Sequence, residues 1–160
     1  MPNDLQTILL EDHSYIQINS KKAAAATTPG MILERDSNDE FKPHATAEDP
    51  WGGYVACEDE LQGKTISDEY SIDDIIRVAI VRRGDRVNML LQDDENVSIG
   101  DKLVSNGDGT VRKLSGDSSA MEIPGGGLIG EADEALDLSG SSAVESSAMW
   151  GDQRLAVRIW

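Results

Sequence analysis

The sequence predicts an all-β fold: a small β-barrel or β-tulip-like domain with an extended N-terminal arm. Three observations predict it. Apolar and polar residues alternate in short runs, the pattern of half-buried strands. Gly, Asn, Asp and Pro gather between those runs at turn positions. The 15 glycines favour many turns over long helices. A chain of 160 residues can bury a sizeable core, and with 4% aromatics that core has to be built from Val, Ile, Leu and Ala.

Residues 1–28 read as an arm or linker and residues 29–160 as the barrel domain. In the arm, LQTILL is an apolar patch (Ile8, Leu9, Leu10), and YIQIN alternates as a strand would (Tyr15, Ile16, Ile18). The run SKKAAAATTPG, with the basic pair Lys21 and Lys22, is a spacer ending in a Pro29-Gly30 turn. Such a segment cannot bury its apolar side alone. It is expected to add a strand to a neighbour's sheet edge, with Lys21 and Lys22 facing acidic loops there. The alternative is that it folds back onto its own barrel.

From Met31 the chain reads as strand and turn. GMILERDSNDEFKP is strand, polar loop, strand; DPWGGYVACEDE is a Gly-Gly turn followed by a strand through Val55; LQGKTISDEYSIDD has turn character. Residues 75–91 look like a hairpin: Ile76, Val78 and Ile80 share a face, Arg83-Gly84-Asp85-Arg86 turns, and Val87, Met89 and Leu91 return. Residues 102–114 look like a second hairpin, closed by Asn106-Gly107-Asp108-Gly109 with the positive φ of a primed turn. LIGEADEAL is a strand or a single helical turn, and QRLAVRIW is a closing strand with Leu155, Val157 and Ile159 on one face. The two hairpins are expected in one sheet system.

The net charge is −16, from 30 acidic and 14 basic residues. Nucleic acid and anionic membranes are therefore expected to be repelled. Disorder, a basic partner and a salt-saturated cytoplasm each explain such acidity. The β-branched runs argue against disorder. The acids are spread along the chain, which favours a halophilic source, where molar salt screens self-repulsion. No apolar run reaches membrane-span length, and the first residues lack the basic and apolar regions of a signal peptide.

No motif assembles a catalytic, cofactor or metal site, so no enzyme is expected. Gly63-Lys64-Thr65 matches the end of a phosphate loop, but Glu58 stands where the first Gly belongs, followed by Asp59 and Glu60. Cys57 is the lone cysteine and reads as a small, semi-buried hydrophobe. His13 and His44 read as surface or turn histidines. The run DDEN at 93–96 reads as a solvated turn over a cation site, and Asn96-Val97-Ser98 as a glycan acceptor only where the chain meets glycosylation machinery. GDRV…VSIGDKL is similar to half a biotinyl or lipoyl carrier domain, but Met89 is followed by Leu90 and not by the carrier lysine.

The run VRRGDRVNMLLQDDENVSIGDKLVSNGDGTVRKL, followed by LIGEADEALDLSGSSA and RLAVRIW, resembles the capsid decoration proteins of tailed viruses, most of all those of haloarchaeal viruses. The matching segments are Pro29-Gly30-Met31-Ile32-Leu33, Gly100 to Thr110, Ile129 to Ala135 and Arg154 to Ile159, within residues 28–160. The resemblance implies a barrel or tulip bound to the outside of an icosahedral shell, with the major capsid protein as partner and a homotrimer as its form. It implies a virion protein on the capsid exterior, assembled in the host cytoplasm, and adds no catalytic residue. Other virion parts (turret, spike or fibre base) and a carrier-like accessory domain are the alternatives. Trp51, Tyr54, Trp150 and Trp160, in or beside Gly-rich turns and at the terminus, are the expected interface aromatics, with plugging of the barrel ends as the other reading.

Overall fold

A computed structural model describes residues 7–11, 16–115, 127–140 and 153–160. Among these residues thirteen strands follow one another: β1 Leu9–Glu11, β2 Ile16–Lys22, β3 Ile32–Arg35, β4 Phe41–Pro43, β5 Tyr54–Ala56, β6 Ile75–Ile80, β7 Arg86–Leu90, β8 Asn96–Val97, β9 Lys102–Ser105, β10 Val111–Lys113, β11 Leu128–Ala132, β12 Leu136–Asp137 and β13 Arg154–Ile159. Among the described residues the helical content is one 3-10 turn, Glu60–Gln62. The all-β class read from the sequence is what the chain adopts.

Two antiparallel sheets carry the fold, six-stranded in the order β1-β7-β13-β11-β9-β10 and five-stranded in the order β2-β6-β5-β3-β4, with β12-β8 as a separate pair. They pack as a sandwich and do not close into the expected barrel: β1 and β10 are not paired, and the edges β2 and β4 approach only through the isolated bridge of Ala23 with Phe41. The main core lies between them. Ile32, Val55 and Ala79 from one sheet meet Val87, Met89, Leu103, Ile129, Leu155 and Val157 from the other, all buried. The next residues along the five-stranded sheet, Leu33, Ala56 and Val78, join Ala23, Phe41, Tyr70 and Ile76 in a second cluster. Successive side chains of a strand point to opposite faces, so that sheet is covered on both. This explains why IIRVAIV is a nearly continuous apolar run.

Three expectations are corrected. Residues 75–91 are not a hairpin: β6 pairs with β2 and β5, whereas β7 pairs with β1 and β13. The turn at residues 81–85 crosses between the sheets. Val81 N donates to Gly53 O (2.9 Å) on one side of it, and Gly84 N to Ile159 O (2.9 Å) on the other. The strands were legible from alternation, but the partners that decide pairing lie far away in sequence.

The hairpin of β9 and β10 is present, with Val111 opposite Ser105. Its turn is not a primed two-residue turn: it spans residues 106–110, closed by Asn106 N to Thr110 O (3.0 Å). Positive φ falls on Gly107 (91°) and Gly109 (88°), and a Cβ on Gly107 would lie 2.9 Å from Ala47 N. The glycines are required because this turn lies directly on the loop after β4.

The segment read as an arm is an integral part of the fold. β1 pairs with β7 at one edge of the six-stranded sheet, and β2 pairs with β6 at one edge of the five-stranded sheet. Ile8 is fully buried in the main core, and Asn88 N donates to its carbonyl (2.8 Å). The segment buries its apolar side on its own chain, so it needs no neighbour to do so.

Candidate functional site

The residues expected to make contacts are dispersed by the fold: of those described, Ile8 is buried, Ile16, Lys22 and Trp160 are exposed, and the rest are half-buried. Leu9 and Leu10 are half-buried, and Leu9 packs on the main core. Ile18 packs on the second cluster, while Ile16 is 50% exposed on the edge strand. Lys21 is bonded to Asp39, and Lys22 Nζ lies 3.0 Å from Asp73 Oδ1. Both charges are already taken within the chain, which removes them as free contacts for a foreign acidic loop.

Trp51 packs against the main core and donates from Nε1 to Tyr54 O (2.9 Å). Tyr54 meets Phe41 edge-on at 5.1 Å. Both are half-buried. Trp160 is the exception: it is 48% exposed, and Lys102 Nζ lies 3.5 Å from its ring centroid. Tyr15, Trp150 and His13 lie outside the described residues.

The groups with chemical potential are committed to structure. Cys57 is buried, and burial first, then the charge of Glu58, pushes its thiol up to about 12, so it stays protonated at neutral pH. It lines a polar cleft of about 220 Å³ with Gln17, Glu58, Glu60 and Arg77. That volume is below the roughly 300 Å³ at which small-molecule pockets begin. Glu58 accepts from Ile8 N (3.2 Å), and Arg77 donates to Gln17 Oε1 (3.1 Å), so the cleft's polar groups tie the first strands to the sandwich.

His44, read as a surface or turn histidine, sits on the loop directly after β4 and is 3% exposed. Its Nε2 lies 3.3 Å from Pro50 O and its Nδ1 2.8 Å from Ser105 Oγ. A carbonyl only accepts, so Nε2 donates to Pro50 O. Ser105 Oγ accepts in turn from Gly107 N (3.1 Å). The histidine clips the loop after β4 onto the β9–β10 turn.

Many of the acids also have local tasks. Four turns share one design in which an aspartate accepts from the backbone N–H three residues before it. Asp68 Oδ2 accepts from Thr65 N (2.6 Å), Asp74 from Ser71 N (2.8 Å), Asp85 from Arg82 N (2.8 Å) and Asp101 from Ser98 N (2.8 Å). In sequence these are TISD, SIDD, RRGD and SIGD. The repeated spacing was the available signal for them.

Among the described residues Leu61 (86%) is exposed on the 3-10 turn, Ile72 (65%) and Ile99 (71%) on loops, and Arg82 and Arg83 on the turn between the sheets. None of these was singled out from the sequence, because burial decides which apolar or basic residues are free and burial follows from long-range pairing.

No protein-family model matches the chain, and no curated protein matches it. Among solved structures it is similar to the head fiber gp8.5 N base of bacteriophage phi29, with a TM-score of 0.54 and 13% identity. The likeness covers 92% of this chain and 95% of that one, and at this identity it is a likeness of fold.

Proposed function

We propose that this chain is a structural protein of a tailed-virus particle, seated as a homotrimer on the outside of the head through the major capsid protein and stabilising the shell. The observation that carries the reading is the extent of the fold match: 92% of this chain corresponds to 95% of a head fiber base, so the whole unit is shared. The decoration-protein resemblance at Gly100 to Thr110 and at the two late strands supports the same role. A double sheet supplies a rigid scaffold, and an excess of 16 negative charges keeps its exterior soluble in brine, in keeping with a virus of haloarchaea. Neither a cofactor nor nucleic acid nor a membrane enters this role, and no reaction step does.

The same match favours a second reading, a fibre base that roots a projecting appendage on the head. Mass spectrometry of purified virions against host cytosol, followed by immunogold labelling, tests both. Enrichment in particles with gold on the head exterior is expected. Absence from particles, or label confined to the tail, would sink the reading. Labelling that disappears together with visible fibres would select the fibre base.

A further inference from the structure

Of the 14 Lys and Arg side chains, eleven have a carboxylate oxygen within 4.0 Å. Arg154 is 7% exposed and donates to the carbonyls of Pro29 and Ile66. That leaves Arg82 and Arg83. They are adjacent and exposed on the turn between the sheets, and among the described residues neither guanidinium has a partner. With 30 acids to 14 bases, a base without any partner is the exception here, and the two exceptions among the described residues are neighbours.

The local geometry keeps them so. Asp85, the nearest acid in sequence, is 3% exposed and turned inward onto Arg82 N. The turn is pinned from both sides: Val81 N to Gly53 O (2.9 Å), Gly84 N to Ile159 O (2.9 Å) and Ile159 N to Asp85 O (2.9 Å). The last of these bonds ties it to the residue before Trp160, the half-exposed terminal aromatic. Two guanidinium forks are thus carried on a rigid base, and arginine is among the residues enriched at binding hot spots.

We propose that the Arg82–Arg83 turn is a docking point for an acidic segment of a partner protein, whose side-chain carboxylates are gripped by the two guanidinium groups. Carboxylate and guanidinium match in a planar, two-bond fork. Binding also relieves the repulsion between the adjacent cations. A nucleic acid fits less well, because its charges continue far beyond the turn and would run onto a surface with a net charge of −16, whereas a short acidic segment ends at the turn. The inference concerns the purified chain and stands apart from the virion reading.

The test is a titration of the full chain in low salt with hexaglutamate, followed through the arginine Nε–Hε NMR resonances. Arg82 and Arg83 are expected to shift with hexaglutamate and not with hexaglutamine. The double variant Arg82→Gln/Arg83→Gln is expected to bind about fivefold more weakly, the scale of two exposed charge pairs. Arg35→Gln, which removes a guanidinium already paired with Asp39, is expected to leave binding unchanged. The turn's hydrogen bonds use backbone atoms and Asp85, so the double variant keeps its fold, checked by its amide spectrum. Equal binding by the double variant, or by hexaglutamine, overturns the proposal. Tighter binding of hexathymidylate overturns it in favour of nucleic acid. Loss of self-association in the variant, with peptide binding unchanged, overturns it in favour of a second copy of the chain.

Discussion

Arg86 and Arg158 stand directly opposite each other across the β7–β13 pair, and one carboxylate holds both: Asp133 Oδ2 lies 2.5 Å from Arg86 Nε and 3.3 Å from Arg158 Nη2. Like charges facing each other across a sheet repel, so the pair is tolerable only with a carboxylate between. Glu11 Oε2, 2.6 Å from Arg158 Nη1, completes the cluster and ties β1 to it.

Asp133→Asn removes the bridging charge and leaves the arginines confronted. These side chains are 25–31% exposed, so solvent screens the loss, and a cost of about 1 kcal/mol is expected. Urea unfolding measures it. A double variant, Asp133→Asn with Arg86→Gln, is expected to recover part of the loss. An unchanged midpoint in the single variant would show that the cluster contributes nothing.

The aspartate-capped turns predict acid lability. The backbone N–H of Thr65, with its hydroxyl, holds the Asp68 carboxyl below its ordinary 3.8. At Asp101 burial acts upward, but the Lys113 ammonium and the Ser98 N–H outweigh it and hold that carboxyl low as well. Both groups are depressed in the folded state. Their contribution is therefore complete above the unfolded value and is lost as pH falls through the folded one. Unfolding midpoints are expected to be flat near neutrality and to fall below about pH 5. The fall should be shallower in Asp101→Asn. A midpoint constant down to pH 3 would contradict this assignment.

What was legible in the sequence follows the range of the interactions. The β9–β10 hairpin announced itself because alternation and its Gly-bearing turn are both local. The terminal strand did so because Leu155, Val157 and Ile159 alternate with residues that face away. Pairing between distant strands was not legible: Val78 and Val87 look like two arms of one hairpin until β2, β5, β1 and β13 claim them. For the same reason Lys21 and Lys22 looked free, since Asp39 and Asp73, which neutralise them, are brought in by other loops. Of the candidate contact residues, Ile16 and Trp160 are well exposed among those described.

Cys57 tests the packing where β5 ends. Its thiol is raised to about 12 by burial and is 3% exposed. Native protein at pH 8 is expected to react with a thiol-specific disulfide reagent orders of magnitude more slowly than the same protein in denaturant, because the thiolate is the nucleophile. Reaction at the rate of a free thiol would mean that β5 and the cleft beside it open readily.

Salt acts on this chain in two opposed ways. It weakens the partly exposed ion pairs, each worth about 0–1 kcal/mol. It also screens the repulsion among charges that sum to −16. Repulsion is summed over the whole surface and the pairs are local, so repulsion is expected to dominate. Melting temperature should rise from low to molar KCl. A falling profile would mean that the ion pairs dominate and that the acidity serves a basic partner in place of a saline environment.

The N-terminal strands give the sharpest contrast between sequence and fold. Read as an arm, residues 2–26 could be deleted with the domain left folded. In the structure the same deletion removes an edge strand from each sheet. It takes away Ile8, fully buried in the main core, and Ala23, 1% exposed in the second cluster. It also strips the hydrogen-bonding partner of β6 at Ile16, Ile18 and Lys21, and that of β7 at Leu9. Loss of one buried large aliphatic side chain alone costs about 2–5 kcal/mol, a large part of a typical domain's 5–15 kcal/mol. The deleted protein is therefore expected to lose its cooperative thermal transition and to expose apolar surface to a hydrophobic dye. Ile8→Ala alone should lower stability by about 2–4 kcal/mol while the protein stays folded. If the truncated chain instead melts cooperatively near the full-length temperature, the first strands are dispensable additions to the sandwich, and an arm that exchanges onto a neighbouring sheet regains its place.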